Sequence, residues 1–346
     1  MSLEKLCCLL SNLQRRDLAM TPIRRPVVSS VGLIALLMLC WQSAAQNPGG
    51  SQPPGTTPGS GPYKPVMEMD AGLPDHTIYR PENLSALNGV NLPIVVWGNG
   101  ACVNVGNAFS SFLTDISSYG YLVIALGPIV QRDAASPAQP PPQAAPLPLQ
   151  GADSIEPPRG LPPAATHPSQ MIDAIQWAMA ENDRAASKYY KRLHGSKIAV
   201  MGQSCGGVQA IEVAADSRVS TAVIWNSGLF GKPTNLGGGK TLSKQDLESI
   251  HVPVAYISGD PRDIAFKNAE ADFDYLTKIP AVRAYERGVG HGGTYREPNG
   301  GEFSGIGVAW LNWQLKGDQR AALMFRGPNC GLCGNPKWVV RTKNLK

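Results

Sequence analysis

The stretch SKIAVMGQSCGGVQAIEVAAD (Ser196–Asp216) decides how this chain is read. "SKIAVMG" is a short apolar run closed by glycine, the pattern of a strand buried on both faces. "GGVQAIEVAAD" reads as a helix that begins at once. Between them, Gly202-Gln203-Ser204-Cys205-Gly206 fits G-x-S-x-G. Alone the pattern says little, and a glycine-rich turn without chemistry is the plain alternative. A strand before it and a helix after it are the setting of a nucleophile elbow. There the serine sits on a strained bend, and the residues two positions either side must be small. The first helix amides are also left free to bind a negative oxygen.

Working outward, "LPIVVWG" (Leu92–Gly98) and "YLVIALG" (Tyr121–Gly127) read as strands around a helical stretch at Ala108–Gly120. A second helix is predicted over Ser169–Tyr190. Beyond the serine, "STAVIWN" (Ser220–Asn226), "VPVAYISG" (Val252–Gly259) and "VRAYERG" (Val282–Gly288) read as strands. Helices are predicted near Ala265–Leu276 and at "IGVAWLNWQLKG" (Ile306–Gly317). Alternating strands and helices predict a mostly parallel sheet with helices on both faces. One α/β domain over residues 63–346 accommodates all of it. Residues 132–168 interrupt the rhythm with too many prolines for helix or strand. Because this tract leaves the C-terminal end of a strand, where ligands bind in such sheets, it is either a surface insertion or a flap over a cleft.

The N-terminal region has a different character. "RRPVVSSVGLIALLMLCWQSAAQ" joins two arginines to an apolar run ending in Ser43-Ala44-Ala45, a signal-peptide pattern over residues 1–45. The apolar run is shorter than the roughly 20 residues of a membrane span, so no stable span is expected. Residues 46–62, rich in Gly, Pro and Ser, read as a flexible linker. The formal net charge is +5, but without residues 1–45 there remain 26 basic against 24 acidic side chains, which excludes the basic footprint of a nucleic-acid binder. Export to the periplasm or medium follows, and with it disulfides among Cys102, Cys205, Cys330 and Cys333. Cys330-Gly-Leu-Cys333 lacks the strand-and-helix setting of a redox pair and reads as a local bridge near the chain end. No metal-ligand spacing and no phosphate loop occurs, so no cofactor is expected.

A serine hydroxyl needs a base, and the base needs an acid to orient it. Of five histidines, His76, His167 and His251 are read as preceding strands or lying in the Pro-rich tract, and His194 as a loop residue. His291, in "GVGHGGTY", follows the last predicted strand, between glycines that permit close approach. For the acid, "AYISGDPRDIAF" offers Asp260 and Asp263. Asp260, beside Pro261, reads as a turn residue. Asp263 is preferred, although it also suits a helix N-cap.

Together "VVWGNGACVN", "GQSCGG", "GDPRDIAFKNAEADF", "GHGGTYREPNGGEF" and "AWLNWQLKGD" resemble the α/β-hydrolase superfamily, in particular secreted hydrolases related to dienelactone and polyester hydrolases. The resemblance implies Ser204 as nucleophile, His291 as base and Asp263 as acid, with no cofactor. It implies an oxyanion hole from the amide of Cys205 and one from the loop after "PIVVWG", at Ala101 or Gly100. Here Asn99-Gly100 replaces the His-Gly-Gly of lipases. In that fold the two donor loops meet, so a Cys102–Cys205 bridge would clamp them; two buried thiols are the alternative. Trp225 and Phe230, at or after a strand end, are candidates for a substrate pocket. The expected activity is hydrolysis of small or polymeric carboxylic esters. A peptidase or lactonase on the same residues, and a non-catalytic carbohydrate- or polymer-binding module, are the alternatives.

Overall fold

The computed structural model describes residues 58–87, 89–131 and 163–345. The expected signal peptide over residues 1–45, residues 46–57 of the expected linker and residues 132–162 of the Pro-rich tract lie outside these residues. Nine strands are described: β1 (Pro65–Asp70), β2 (Leu73–Pro81), β3 (Leu92–Gly98), β4 (Leu122–Leu126), β5 (Leu193–Gln203), β6 (Thr221–Trp225), β7 (Val254–Gly259), β8 (Ala281–Glu286) and β9 (Trp338–Lys343). The described helices are α1 (Ser110–Ser118), α2 (Pro168–Asp183), α3 (Cys205–Val213), α4 (Phe266–Tyr275), α5 (Gly301–Lys316) and α6 (Gln319–Ala322). The strands form one sheet in the order β1-β2-β4-β3-β5-β6-β7-β8-β9. From β3 to β8 all pairings are parallel, as expected, while β1, β2 and β9 pair antiparallel at the edges.

The apolar runs form strands because both faces of the sheet are covered. Ile94, Val96, Ile198, Val200, Ala222 and Ile224 face one core, shared with α2, α3 and α4. Their alternates Val95, Trp97, Ala199, Met201, Val223 and Trp225 face the other, against α1 and α5. This is the period of two expected of a strand, with apolar residues at both parities. Two buried polar pairs lie on the α5 side: Trp310 Nε1 donates to Thr221 Oγ1 at 2.9 Å, and Ser304 Oγ donates to Asp115 Oδ2 at 2.5 Å.

Several boundaries differ from expectation. The domain begins before residue 63: the Ser60 amide donates to Asp115 Oδ1 at 2.6 Å and the Gly61 amide to Ser118 Oγ at 2.9 Å, so the linker's end is docked on α1. The last part of the Pro-rich tract is also ordered, since the Ala165 and Thr166 amides both donate to the Cys102 carbonyl at 3.1 Å. Helix α2 stops at Asp183, seven residues before the expected end, because Arg184 is already extended at ψ 112° and Tyr189 turns back to pack on Trp177. His76 lies within β2 and His194 within β5, not in loops.

The sheet order positions the site. From β3 the chain steps to β4 on one side, then crosses back to place β5 on the other side of β3. Beyond the carboxyl ends of β3 and β5, where that direction reverses, an open α/β sheet has its natural crevice.

Candidate active site

Five segments leaving the carboxyl ends of parallel strands converge at this crevice. They are the turn at Asn99–Cys102 after β3, Ser204 after β5, Asn226 after β6, Asp263 beyond β7 and His291 beyond β8. Ser204 has φ 53° and ψ −119°, a conformation L side chains rarely adopt. Such a residue costs of order 1–3 kcal/mol and persists only where its surroundings hold it. Here its amide donates to the Trp225 carbonyl at 3.0 Å, and its carbonyl accepts from Ser227 Oγ at 2.6 Å.

Glycines let the bend close. A Cβ on Gly202 would lie 2.2 Å from the Gly206 carbonyl oxygen, and one on Gly206 would lie 2.1 Å from that of Gly98. Both obstacles are backbone, so no side-chain rotation relieves them. Gly206→Ala is therefore expected to push β3 from the turn at Ser204, lowering stability by about 1–3 kcal/mol, and to cut any turnover that depends on Ser204 by more than about 100-fold. Gly305→Ala, in an exposed part of α5 with nothing within 4 Å, is the control and should raise stability by up to about 1 kcal/mol. Thermal melts and initial rates of both variants check this.

The structure brings the three expected side chains together. Ser204 Oγ lies 2.9 Å from His291 Nε2, and His291 Nδ1 lies 2.7 Å from Asp263 Oδ1. Asp263 is buried, yet each carboxylate oxygen is met twice. Oδ1 also accepts from the Ala265 amide at 2.9 Å, while Oδ2 accepts from Asn226 Nδ2 at 2.8 Å and from the Gly259 amide at 3.3 Å. Burial works to raise the Asp263 pKa, but the His291 charge and hydrogen bond, the Ala265 amide and Asn226 outweigh it and hold the group below its ordinary value. An ionised Asp263 only accepts, so Nδ1 of His291 carries the proton and Nε2 is left to accept from the serine hydroxyl. Asp260 sits apart as a turn residue, its pKa drawn down to about 2, chiefly by the Arg262 guanidinium.

The turn after β3 is held from four sides. Asn99 Nδ2 donates to the carbonyls of Val103, Val105 and Leu126 at 3.1, 3.1 and 2.6 Å, and its Oδ1 accepts from Trp97 Nε1 at 3.1 Å. Ala101 and Cys102 have φ 51° and 48°. Cys102 is disulfide-bonded to Cys205, with Cα atoms 5.3 Å apart, across 103 residues of sequence. Both expected oxyanion donors, Ala101 and Cys205, therefore sit at or next to one covalent bridge. Ala101 is exposed, and the Cys205 amide, first in α3, has no intrahelical acceptor. The second bridge joins Cys330 and Cys333, as expected.

Trp225 corrects an expectation. It is fully buried, stacked on Phe303 at 5.6 Å and edge-on to Phe112 at 5.3 Å, so it packs in the core and offers no exposed surface to a substrate. Its parity on β6 turns it toward α5. Phe230 is partly exposed on the loop that follows. A ring the sequence did not mark, Phe109, is partly exposed beside the turn after β3, 3.6 Å from where a Gly100 Cβ would lie and 5.1 Å from Trp97. Gln203 was also unmarked; its Nε2 donates to the His291 carbonyl at 3.0 Å, tying the elbow to the histidine loop.

A cavity of about 310 Å³, lined by residues including Ile306, Leu332 and Trp338, lies at α5 and the chain end, away from these groups. Among the described residues no cluster of His, Cys, Asp or Glu is placed to hold a metal ion, and no helix is long and apolar enough to cross a membrane. The chain matches no protein-family model and no curated protein sequence.

Proposed function

We propose that this chain is an exported serine hydrolase of α/β-hydrolase architecture, similar to dienelactone and polyester hydrolases, that cleaves carboxylic esters. The observation that carries the reading is the hydrogen-bonded line from Ser204 through His291 to Asp263, with the serine on a positive-φ bend at a helix start. That arrangement suits a nucleophile, the base that activates it and the acid that fixes the base. The two disulfides fit an oxidising compartment.

In this mechanism Ser204 Oγ attacks the acyl carbon as His291 Nε2 takes its proton. The carbonyl oxygen becomes negative and is met by the amides of Cys205 and Ala101. His291 returns the proton to the leaving alcohol, and an acyl-Ser204 ester remains. Water, deprotonated by the same nitrogen, releases the acid and restores the hydroxyl.

Mass spectrometry after treatment with a fluorophosphonate is expected to find one adduct, on Ser204. A panel of p-nitrophenyl esters, a lactone and a peptide anilide should show turnover on the esters, because one triad serves several acyl transfers and only the substrates separate them. An unlabelled protein that turns over none of them would overturn the reading.

A further inference from the structure

Asn226 is fully buried immediately after β6, with φ 42°, a left-handed conformation that Asn tolerates better than most residues. Its Nδ2 donates to Asp263 Oδ2 at 2.8 Å and to the Gly290 carbonyl, one residue before His291, at 3.3 Å. Its Oδ1 accepts from the Tyr295 hydroxyl at 2.5 Å. Chemistry sets the orientation of the amide. A carboxylate and a carbonyl only accept, so both must face the NH2, and the phenol proton then meets the oxygen. One side chain thus grips the acid on the oxygen His291 does not use, and grips the loop that presents His291.

We propose that Asn226, oriented by Tyr295, is a positioning residue that sets the geometry and ionisation of the Asp263–His291 pair. Its kinetic consequences rest on the hydrolase reading; the hydrogen bonds it invokes do not. Four charged or titratable groups bear on the spot: Asp263 beyond β7, His291 and Tyr295 beyond β8, and Arg283 on β8, whose charge acts on Asp263. An amide suits position 226 where a carboxylate would not. Asn226→Asp would set a second acid against Asp263 in a buried site, and two such carboxylates cannot both ionise easily, so they share a proton until the pH is higher.

The experiment measures kcat and KM for a p-nitrophenyl ester against pH, together with the downfield proton resonance of His291 Nδ1–H, in the wild type, Asn226→Asp and Tyr295→Phe. Asn226→Asp is expected to lower kcat near neutral pH by roughly 10- to 100-fold with KM little changed. It should also move the acid limb of the rate profile, and the pH response of the resonance, to higher pH. Tyr295→Phe should lower kcat by about 3- to 10-fold and leave the limb in place. A folded Asn226→Asp whose limb and resonance stay at wild-type positions would overturn the proposal. So would wild-type kcat in Tyr295→Phe, which decides the matter if Asn226→Asp does not fold. A wild type with neither turnover nor phosphonate labelling would sink the hydrolase reading alone, since the resonance needs no turnover and still judges Asn226.

Discussion

Ser204→Ala is expected to remove ester turnover by roughly 10⁴- to 10⁶-fold in kcat while the melting temperature stays near that of the wild type. The size follows from the proposed mechanism. In it the hydroxyl 2.9 Å from His291 Nε2 supplies the atom that bonds to the acyl carbon, and no other side chain described at the turn replaces it. Alanine keeps the Cβ and asks nothing new of the bend beyond the φ of 53° the serine already adopts. Non-additivity gives the sharper check. With the nucleophile gone, the base has nothing to activate, so Ser204→Ala with His291→Ala should be no slower than either single variant. Fully additive losses would mean that the two residues do not act on one step, and surviving turnover in Ser204→Ala would remove the serine from the mechanism. Initial rates under excess substrate, with active protein counted by circular dichroism melts, make the comparison.

The second large effect belongs to the bridge between Cys102 and Cys205. Opening it is expected to lower stability by about 3–5 kcal/mol, since it closes a loop of over a hundred residues in the unfolded chain. The kinetic loss is separable from that. Ala101 and Cys102 both sit at positive φ, and once the bridge is cut the turn is left to Asn99, the amides of Ala165 and Thr166 and the Thr166 hydroxyl. An oxyanion amide displaced by about 1 Å forfeits roughly 10²- to 10³-fold in kcat with little change in KM. The measurement uses Cys102→Ser/Cys205→Ser well below its melting temperature, beside Cys330→Ser/Cys333→Ser as a control for thiol loss. The control bridge spans only three positions of sequence and lies near the chain end, so its loss should leave kcat unchanged. A destabilised Cys102→Ser/Cys205→Ser with wild-type kcat would assign the bond to stability alone.

Much of the architecture was legible because it is written in local pattern. Continuous apolar runs such as "LPIVVWG" and "YLVIALG" have no polar face to offer water, so they enter a sheet covered on both sides. The edges were harder. β1 starts at Pro65 and carries Glu68 and Asp70 among its apolar residues, and β9 ends in Arg341, Thr342 and Lys343. Edge strands tolerate prolines and charges because one row of backbone groups goes unpaired there, and that tolerance erases the alternating signal. The early stop of α2 was equally hidden, because it depends on Tyr189 meeting Trp177, a contact that no helical spacing announces.

In the site, local chemistry again separates what could be read. A serine between close glycines, and a histidine and an aspartate just past strand ends, are properties of short segments, and the strand rhythm places each segment at the same rim. Which face Trp225 takes is a matter of parity relative to a cleft whose side the chain alone does not reveal, so its burial beneath α5 came only with the sheet. Asn226 and Tyr295 are 69 residues apart in sequence and look like an ordinary strand-end amide and a loop tyrosine. By itself the sequence determined the strand–helix order and the reactive residue types. Tertiary structure alone decided the neighbours: the crossover from β4 to β5 chooses which strand ends meet, and hydrogen bonds reaching about 3 Å exist only after that choice is made.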